Sequence, residues 1–265
     1  KAIRQLEEQI EKKETELEAL RELRFDNDTR RRVVRLAAFR KVRLPEEPEA
    51  YRAEVLRLRD IYAGRMDVLL GIEQDSQSAQ PVPDWAEYWI GSVHNLHDSR
   101  TGSYYCVDWD AEHLKTCLGE MFGGDAPAMA RGYFADVAAM AERKPTILGH
   151  PDLIVKLNRD GCFFNEEDPA YRAAALEALH AADPDATLLE INTGAMARGY
   201  RDAPYPALFL LREWRTMGGR IILTADAHSA VAIAYACDQA AELARAAGFR
   251  EHTLLTQQGP VPDFL

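Results

Sequence analysis

The chain has 265 residues, 47% of them hydrophobic, and a formal net charge of −11. That length and apolar content suit one large α/β domain or two small ones. The acidic balance argues against a general nucleic-acid binder, because polyanions are held by clustered Lys and Arg. The charge is uneven, however: residues 30–44 carry seven basic side chains and no acidic one, which leaves about −18 on the rest of the chain. Cys106, Cys117, Cys162 and Cys237 form no C-x-x-C pair, which argues against a zinc ribbon or disulfide framework and predicts reduced thiols in a cytoplasmic protein. No apolar run approaches the ~20 residues that span a bilayer, and no signal-like segment follows the start, so no membrane partner is expected.

Residues 1–24 are dense in Glu, Lys, Arg and Leu, and Ile3, Leu6, Ile10, Leu17 and Leu20 fall on the a and d positions of a heptad interrupted at Lys13. This spacing predicts a helix that either packs on its own domain or joins a second copy in a short coiled coil, a route to a homo-oligomer. The basic segment that follows is ambiguous between helix and strand. Leu44-Pro45 reads as a junction, dividing the chain into residues 1–44 and a domain over residues 45–265.

Beyond the junction, strand patterns alternate with helix patterns. Apolar runs end at Glu73 (DVLLGIE), His94 (YWIGSVH), His150 and Asp152 (TILGHPD), Asn192 (TLLEIN), and Asp226 and His228 (RIILTADAH). Helices are predicted over residues 47–63, from Asp110, from Asp125 with Pro127 to about Arg143, from Asp168-Pro169 to about Ala182, near residues 207–217, and over residues 229–247 before Gly248. The polar, aromatic segment HDSRTGSYYCVDWD, residues 97–110, reads as a loop over a site. Alternating strands and helices assemble into a parallel sheet or barrel, and chemistry gathers where parallel strands end.

Glu73, His94, His150, Asp226 and His228 are therefore candidate ligands for divalent metal. Carboxylate and imidazole suit Zn, Mn or Fe, and two Glu oxygens can bridge two ions. Such ions acidify a water and clamp a phosphate. Arg198 and Lys156, with Arg201, stand just past strand ends where a cation can hold a phosphate oxygen. His97, His113, His180 and His252 lack this placement and are expected on the surface or in loops.

The motifs GIEQD, YWIGSVHNLHD, ILGHPDLIVKLN, LEINTGAMARGYRDAPYP and LTADAH, followed by a helix ending AGF, resemble the PHP (polymerase and histidinol phosphatase) family, specifically its histidinol-phosphate phosphatase branch. The resemblance covers about residues 50–249 in the family's order. It implies a distorted seven-stranded β/α barrel that holds up to three divalent metals and hydrolyses a small phosphomonoester, histidinol phosphate in histidine biosynthesis. It also implies that Glu73 is the bridging carboxylate, that His94 and His150 complete a second metal, that Asp226 and His228 are ligands from the last motif, and that Arg198 faces the substrate phosphate. The family's opening Asp-x-His-x-His motif is not present, and a charged helix and basic segment stand in its place. Two explanations stand open: the opening strands lie upstream of Lys1 in a longer parent, or the new N-terminus covers the gap, with the basic run VVRLAAFRKVRL as a surrogate strand. For the chain as given, a barrel incomplete at its N-terminal strands and fewer bound metals are expected. The competing readings are a non-catalytic, degenerate metal-binding or assembly domain and, less favoured by the acidic charge, a PHP exonuclease or other phosphodiesterase.

Overall fold

The computed structural model describes residues 48–265. The expectations for residues 1–44, a charged helix, a coiled-coil contact and a surrogate strand, lie outside the described residues. In chain order the elements are α1 (Pro48–Ile61), β1 (Gly71–Asp75), β2 (Tyr88–Ser92), β3 (Asn95–Asp98), β4 (Ser103–Cys106), α2 (Ala111–Phe122), α3 (Ala126–Glu142), β5 (Ile147–Leu148), α4 (Pro169–His180), β6 (Leu188–Asn192), the single turn α5 (Gly194–Ala197), α6 (Leu208–Thr216), β7 (Arg220–Thr224), α7 (Cys237–Ala246), β8 (Glu251–Thr256) and β9 (Gly259–Phe264). The predicted caps are in place. Asp110, Asp125 and Asp168 accept hydrogen bonds from the amides of His113, Ala128 and Ala170, each satisfying a donor that the first helical turn leaves free.

A five-stranded sheet in the order β1-β2-β5-β6-β7 organises the molecule, and every pairing in it is parallel. These are the five apolar runs of the sequence, taken in chain order. They read as continuous rather than alternating because both faces are covered. One face packs Leu148, Leu189, Ile191, Ile221 and Leu223 into the large core built by the helices. Fully buried side chains there, such as Phe134, Ile154 and Leu179, each stabilise the fold by about 1.5–3 kcal/mol. The other face gathers Tyr88, Ile90, Ile147, Leu188 and Ile222 in a smaller cluster closed by Leu254 and Leu255 of the C-terminal hairpin β8–β9.

The inner face changes character along the strands. Apolar side chains occupy its lower part, while Glu73, Ser92, Glu190, Asn192 and Thr224 lie toward the C-terminal ends. The pairing of Glu73 with Ile90, and of Glu190 with Ile222, puts both carboxylates on this same face.

Three local expectations are corrected. Residues 97–110 are not simply a loop: β3 and β4 pair as an antiparallel hairpin, and Leu96, Tyr105 and Val107 are buried. Four-residue strands are too short to announce themselves by alternation. The last helix starts at Cys237 and not at residue 229, because Ala234 and Ala236 adopt positive φ. The Thr193 hydroxyl donates to the Tyr235 carbonyl at 2.7 Å, so a tertiary contact overrides the helix propensity of an Ala-rich stretch. His252 is buried within β8 rather than on the surface. Among the described residues no helix is long and apolar enough to cross a membrane.

Candidate metal centre

Glu73 sits in the middle of β1, two residues before the strand ends, so its side chain rises from the inner face rather than from a loop. His94 and His150 each stand two positions beyond the last residue of β2 and β5. Sheet order brings the three together. The Oε1 atom of Glu73 lies 3.5 Å from Nε2 of His94 and 3.6 Å from Nε2 of His150, and the imidazole rings meet edge to face at 5.0 Å.

The ligand atoms of these three residues all lie within 4.8 Å of one another. Two donors bound ~2.1 Å from one ion at the tetrahedral angle are separated by about 3.4 Å. The two spacings from Glu73 match that figure, and a carboxylate with two imidazoles is a donor set that zinc, manganese and iron accept. The residues therefore fit a divalent ion.

Electrostatics in this cluster are strong. Burial opposes ionisation of Glu73, but the hydrogen bond from His150 and the fields of both imidazoles outweigh it and hold the carboxyl down at about 2. Burial likewise disfavours the charged form of His150, yet Glu73 and Glu190 prevail and raise its pKa to about 9.

Asp226 and His228 form a second cluster at the same mouth. Asp226 takes a positive φ of 43°, and its Oδ1 lies 3.3 Å from Nε2 of His228. Its Oδ2 accepts from Nη2 of Arg198 at 3.1 Å, while Nη1 of Arg198 reaches the Asp226 carbonyl and Nδ1 of His228, each at 3.2 Å. Burial works against the Asp226 charge, but His228, Arg198 and His150 together depress its pKa well below the carboxylate range. Arg198 approaches this closely because Gly194 has no side chain; a Cβ there would come 2.7 Å from Oδ2 of Asp226.

Lys156 is buried. Its Nζ donates to the Asp108 carboxylate at 2.8 Å and to the Asp108 carbonyl at 2.9 Å, and it lies 4.9 Å from the centre of the Tyr200 ring. Burial opposes ionisation of Asp108, but Lys156 and His94 overcome it and hold the carboxyl at about 2. Arg201 is engaged by Glu166 through two hydrogen bonds of 3.1 and 3.2 Å. Each of the three predicted phosphate-facing cations thus already has a carboxylate partner.

The remaining strand-end residues hold backbone amides. Oδ1 of Asn192 accepts from the Gly194 amide at 2.8 Å, and Oδ2 of Asp152 accepts from the Ala207 amide at 2.8 Å. His97 stacks on Tyr104, His113 accepts from the Cys106 amide, and His180 meets Glu213. None of them joins the metal cluster. Asp75, Asp108 and Glu190 were not singled out from sequence. A signal existed for two of them: Glu190 interrupts the apolar run LLEIN, and Asp75 follows Glu73 at the spacing that keeps both on one face of a strand.

No family model matches the chain. A Bacillus subtilis protein named histidinol-phosphatase is 24% identical over 200 residues, covering 71% of this chain and 73% of that protein. A crystal structure of a candidate histidinol phosphatase from Listeria monocytogenes superposes with a TM-score of 0.58 at 14% identity, covering 72% of this chain and 74% of the other, and shares the fold. A Deinococcus radiodurans protein named "Probable histidinol-phosphatase" is 30% identical over 197 residues, which span 71% of this chain and 67% of the relative. On the strength of that match, the chain belongs to the histidinol-phosphatase family.

Proposed function

We propose that this chain is a metal-dependent phosphomonoester hydrolase that releases histidinol and inorganic phosphate from histidinol phosphate, on a PHP-type β/α barrel formed by residues 45–265. The observation that carries the reading is one carboxylate and two imidazoles at ion-binding spacing, at the C-terminal mouth of a parallel sheet. The names of the two relatives supply the substrate. In this proposal Glu73, His94 and His150 hold one divalent ion, zinc, manganese or iron, and Asp226 and His228 contribute to a further one. A bound ion of this kind neutralises phosphate charge and acidifies a water.

The chain's own residues complete the site. Arg198, already aimed at the mouth by Asp226 and His228, takes a substrate phosphate oxygen in exchange for one of its present contacts. Lys156 serves the substrate side by fixing Asp108 and Tyr200 as one wall. The absence of a paired-cysteine pattern and the biosynthetic substrate go with a cytoplasmic location.

The test is phosphate release by metal-loaded protein from histidinol phosphate, a simple aryl phosphate and single-stranded DNA. Histidinol phosphate is expected to turn over fastest, with activity lost on chelation and restored by zinc or manganese. DNA cleaved faster than either monoester replaces this reading with a phosphodiesterase. Metal uptake without turnover of any of the three replaces it with a non-catalytic binding domain.

A further inference from the structure

His94 and His150 lie beyond the ends of their strands, where the sheet ladder no longer supplies acceptors for their backbone amides. Both amides are nonetheless satisfied, and in the same way. Oδ2 of Asp75 accepts from the His94 amide at 2.7 Å, and Oε2 of Glu190 accepts from the His150 amide at 2.7 Å. In the sheet order β1-β2-β5-β6 the histidines follow the two middle strands, and the carboxylates rise from the two flanking ones. We infer that Asp75 and Glu190 are a matched pair of positioning residues that bracket the metal centre and, by accepting these amides, aim both imidazoles at Glu73.

Each carboxylate is itself anchored. The second oxygen of Glu190 accepts from the Thr224 hydroxyl of β7 at 2.6 Å, so that one side chain ties together β5, β6 and β7. Both oxygens of Asp75 are used as well: Oδ1 accepts from the Gln77 amide at 3.0 Å, and Oδ2 also lies 3.5 Å from Nδ1 of His94, across the ring from the nitrogen that faces Glu73.

The backbone near His150 is shaped for this contact. His150 has a φ of +21°, outside the usual range for a residue with a side chain. A Cβ on the preceding Gly149 would fall 2.6 Å from Oγ of Ser92 and 2.7 Å from Cγ2 of Ile90, so only glycine fits where the chain leaves β5 for His150.

Packing alone does not explain Glu190. It is 2% exposed in a strand whose five residues are all buried. Burying a carboxylate is costly unless it is well hydrogen-bonded, and an aliphatic side chain, as at Leu188 on the same face, would fill that space without the cost. A role toward the ligands accounts for it, since groups that orient metal-binding side chains contribute about 10–100-fold in metal affinity.

The inference rests on the metal-centre reading, and its test is a binding measurement rather than an assay of turnover. Zinc affinity is measured by competition with a chromophoric chelator for the wild type, Glu190→Met, Glu190→Gln, Asp75→Ala and Asp75→Asn, with thermal melting of each metal-free protein as the control for folding. Glu190→Met and Asp75→Ala, which lose the acceptor, are expected to bind zinc about 10–100-fold more weakly. Glu190→Gln and Asp75→Asn keep a carbonyl acceptor and are expected to stay within about threefold of the wild type. Asp75 is partly exposed on the outermost strand of the described sheet, so Asp75→Ala gives a folded reading even where Glu190→Met does not.

A folded Glu190→Met or Asp75→Ala that binds zinc like the wild type overturns the inference. So does an amide variant that loses as much affinity as its acceptor-free counterpart, which would assign the effect to charge. A wild-type protein that takes up no zinc is a separate result: it overturns the metal-centre reading itself.

Discussion

Two clusters of ligand-type residues share the mouth of the sheet, and they differ in how their charge is balanced. Among the described residues Glu73 meets only imidazoles, His94 and His150, with no Lys or Arg paired to it. Asp226 meets His228 and also the guanidinium of Arg198, and Asp108 nearby is closed by Lys156. A carboxylate that already has a guanidinium partner is electrostatically satisfied, and a cation arriving there must displace or share that contact. A carboxylate facing two imidazoles and no guanidinium is open to a metal, to which both rings become ligands once His150 gives up its proton. The first cluster could hold an ion as it stands, while the second would have to give up or share a contact of Arg198 to do so.

The largest expected effect is at the first cluster. Glu73→Gln keeps the shape and removes the charge, so bound metal should fall by at least one ion per chain, and phosphate release should fall by about 100-fold or more. Unchanged metal content by elemental analysis would break the comparison at its root. Next comes the Lys156–Asp108 pair. Lys156→Met leaves a largely buried carboxylate without its partner and should destabilise the fold by about 3 kcal/mol in denaturant unfolding, with metal content retained. A variant as stable as the wild type would show that Asp108 finds another partner.

Arg198→Ala is a smaller perturbation that separates the clusters. It should weaken substrate binding about tenfold, while zinc affinity at Glu73, His94 and His150 stays within about twofold. Equal losses in both would mean that the two clusters act as one. The smallest effect is a pH dependence. The Asp108 carboxyl is held at about 2, below its ordinary 3.8, so its contribution to stability is full above the ordinary value and is lost as pH falls through about 2. Lys156→Met should remove this contribution, flattening the acid limb of stability against pH between about pH 4 and pH 2.

Much of this architecture was readable locally. The apolar runs marked all five strands of the sheet, and the Asp and Asp-Pro signals marked the starts of α2, α3 and α4. The ligand-type residues that close the apolar runs included all three members of the metal cluster, although β1 continues two residues past Glu73, where the sequence reading ended the strand. These features are legible because burial on two faces and the capping of free amides constrain residues close together in sequence. The hairpin β3–β4, the covering hairpin β8–β9 and the late start of α7 were not legible, since each depends on what the segment packs against.

The amino-acid sequence by itself determined which ligand-type residues stand in or just past the strands and what chemistry their side chains can offer. Tertiary structure alone decided which of them meet. Strand order placed Glu73, His94 and His150 within reach of one ion while giving Asp226 to Arg198 and Asp108 to Lys156, and it set Asp75 and Glu190 against the backbone of the two histidines. The physical reason is distance. A side chain reaches only a few ångströms, so partners separated by tens of residues are chosen by sheet order and register, which no local stretch of sequence encodes.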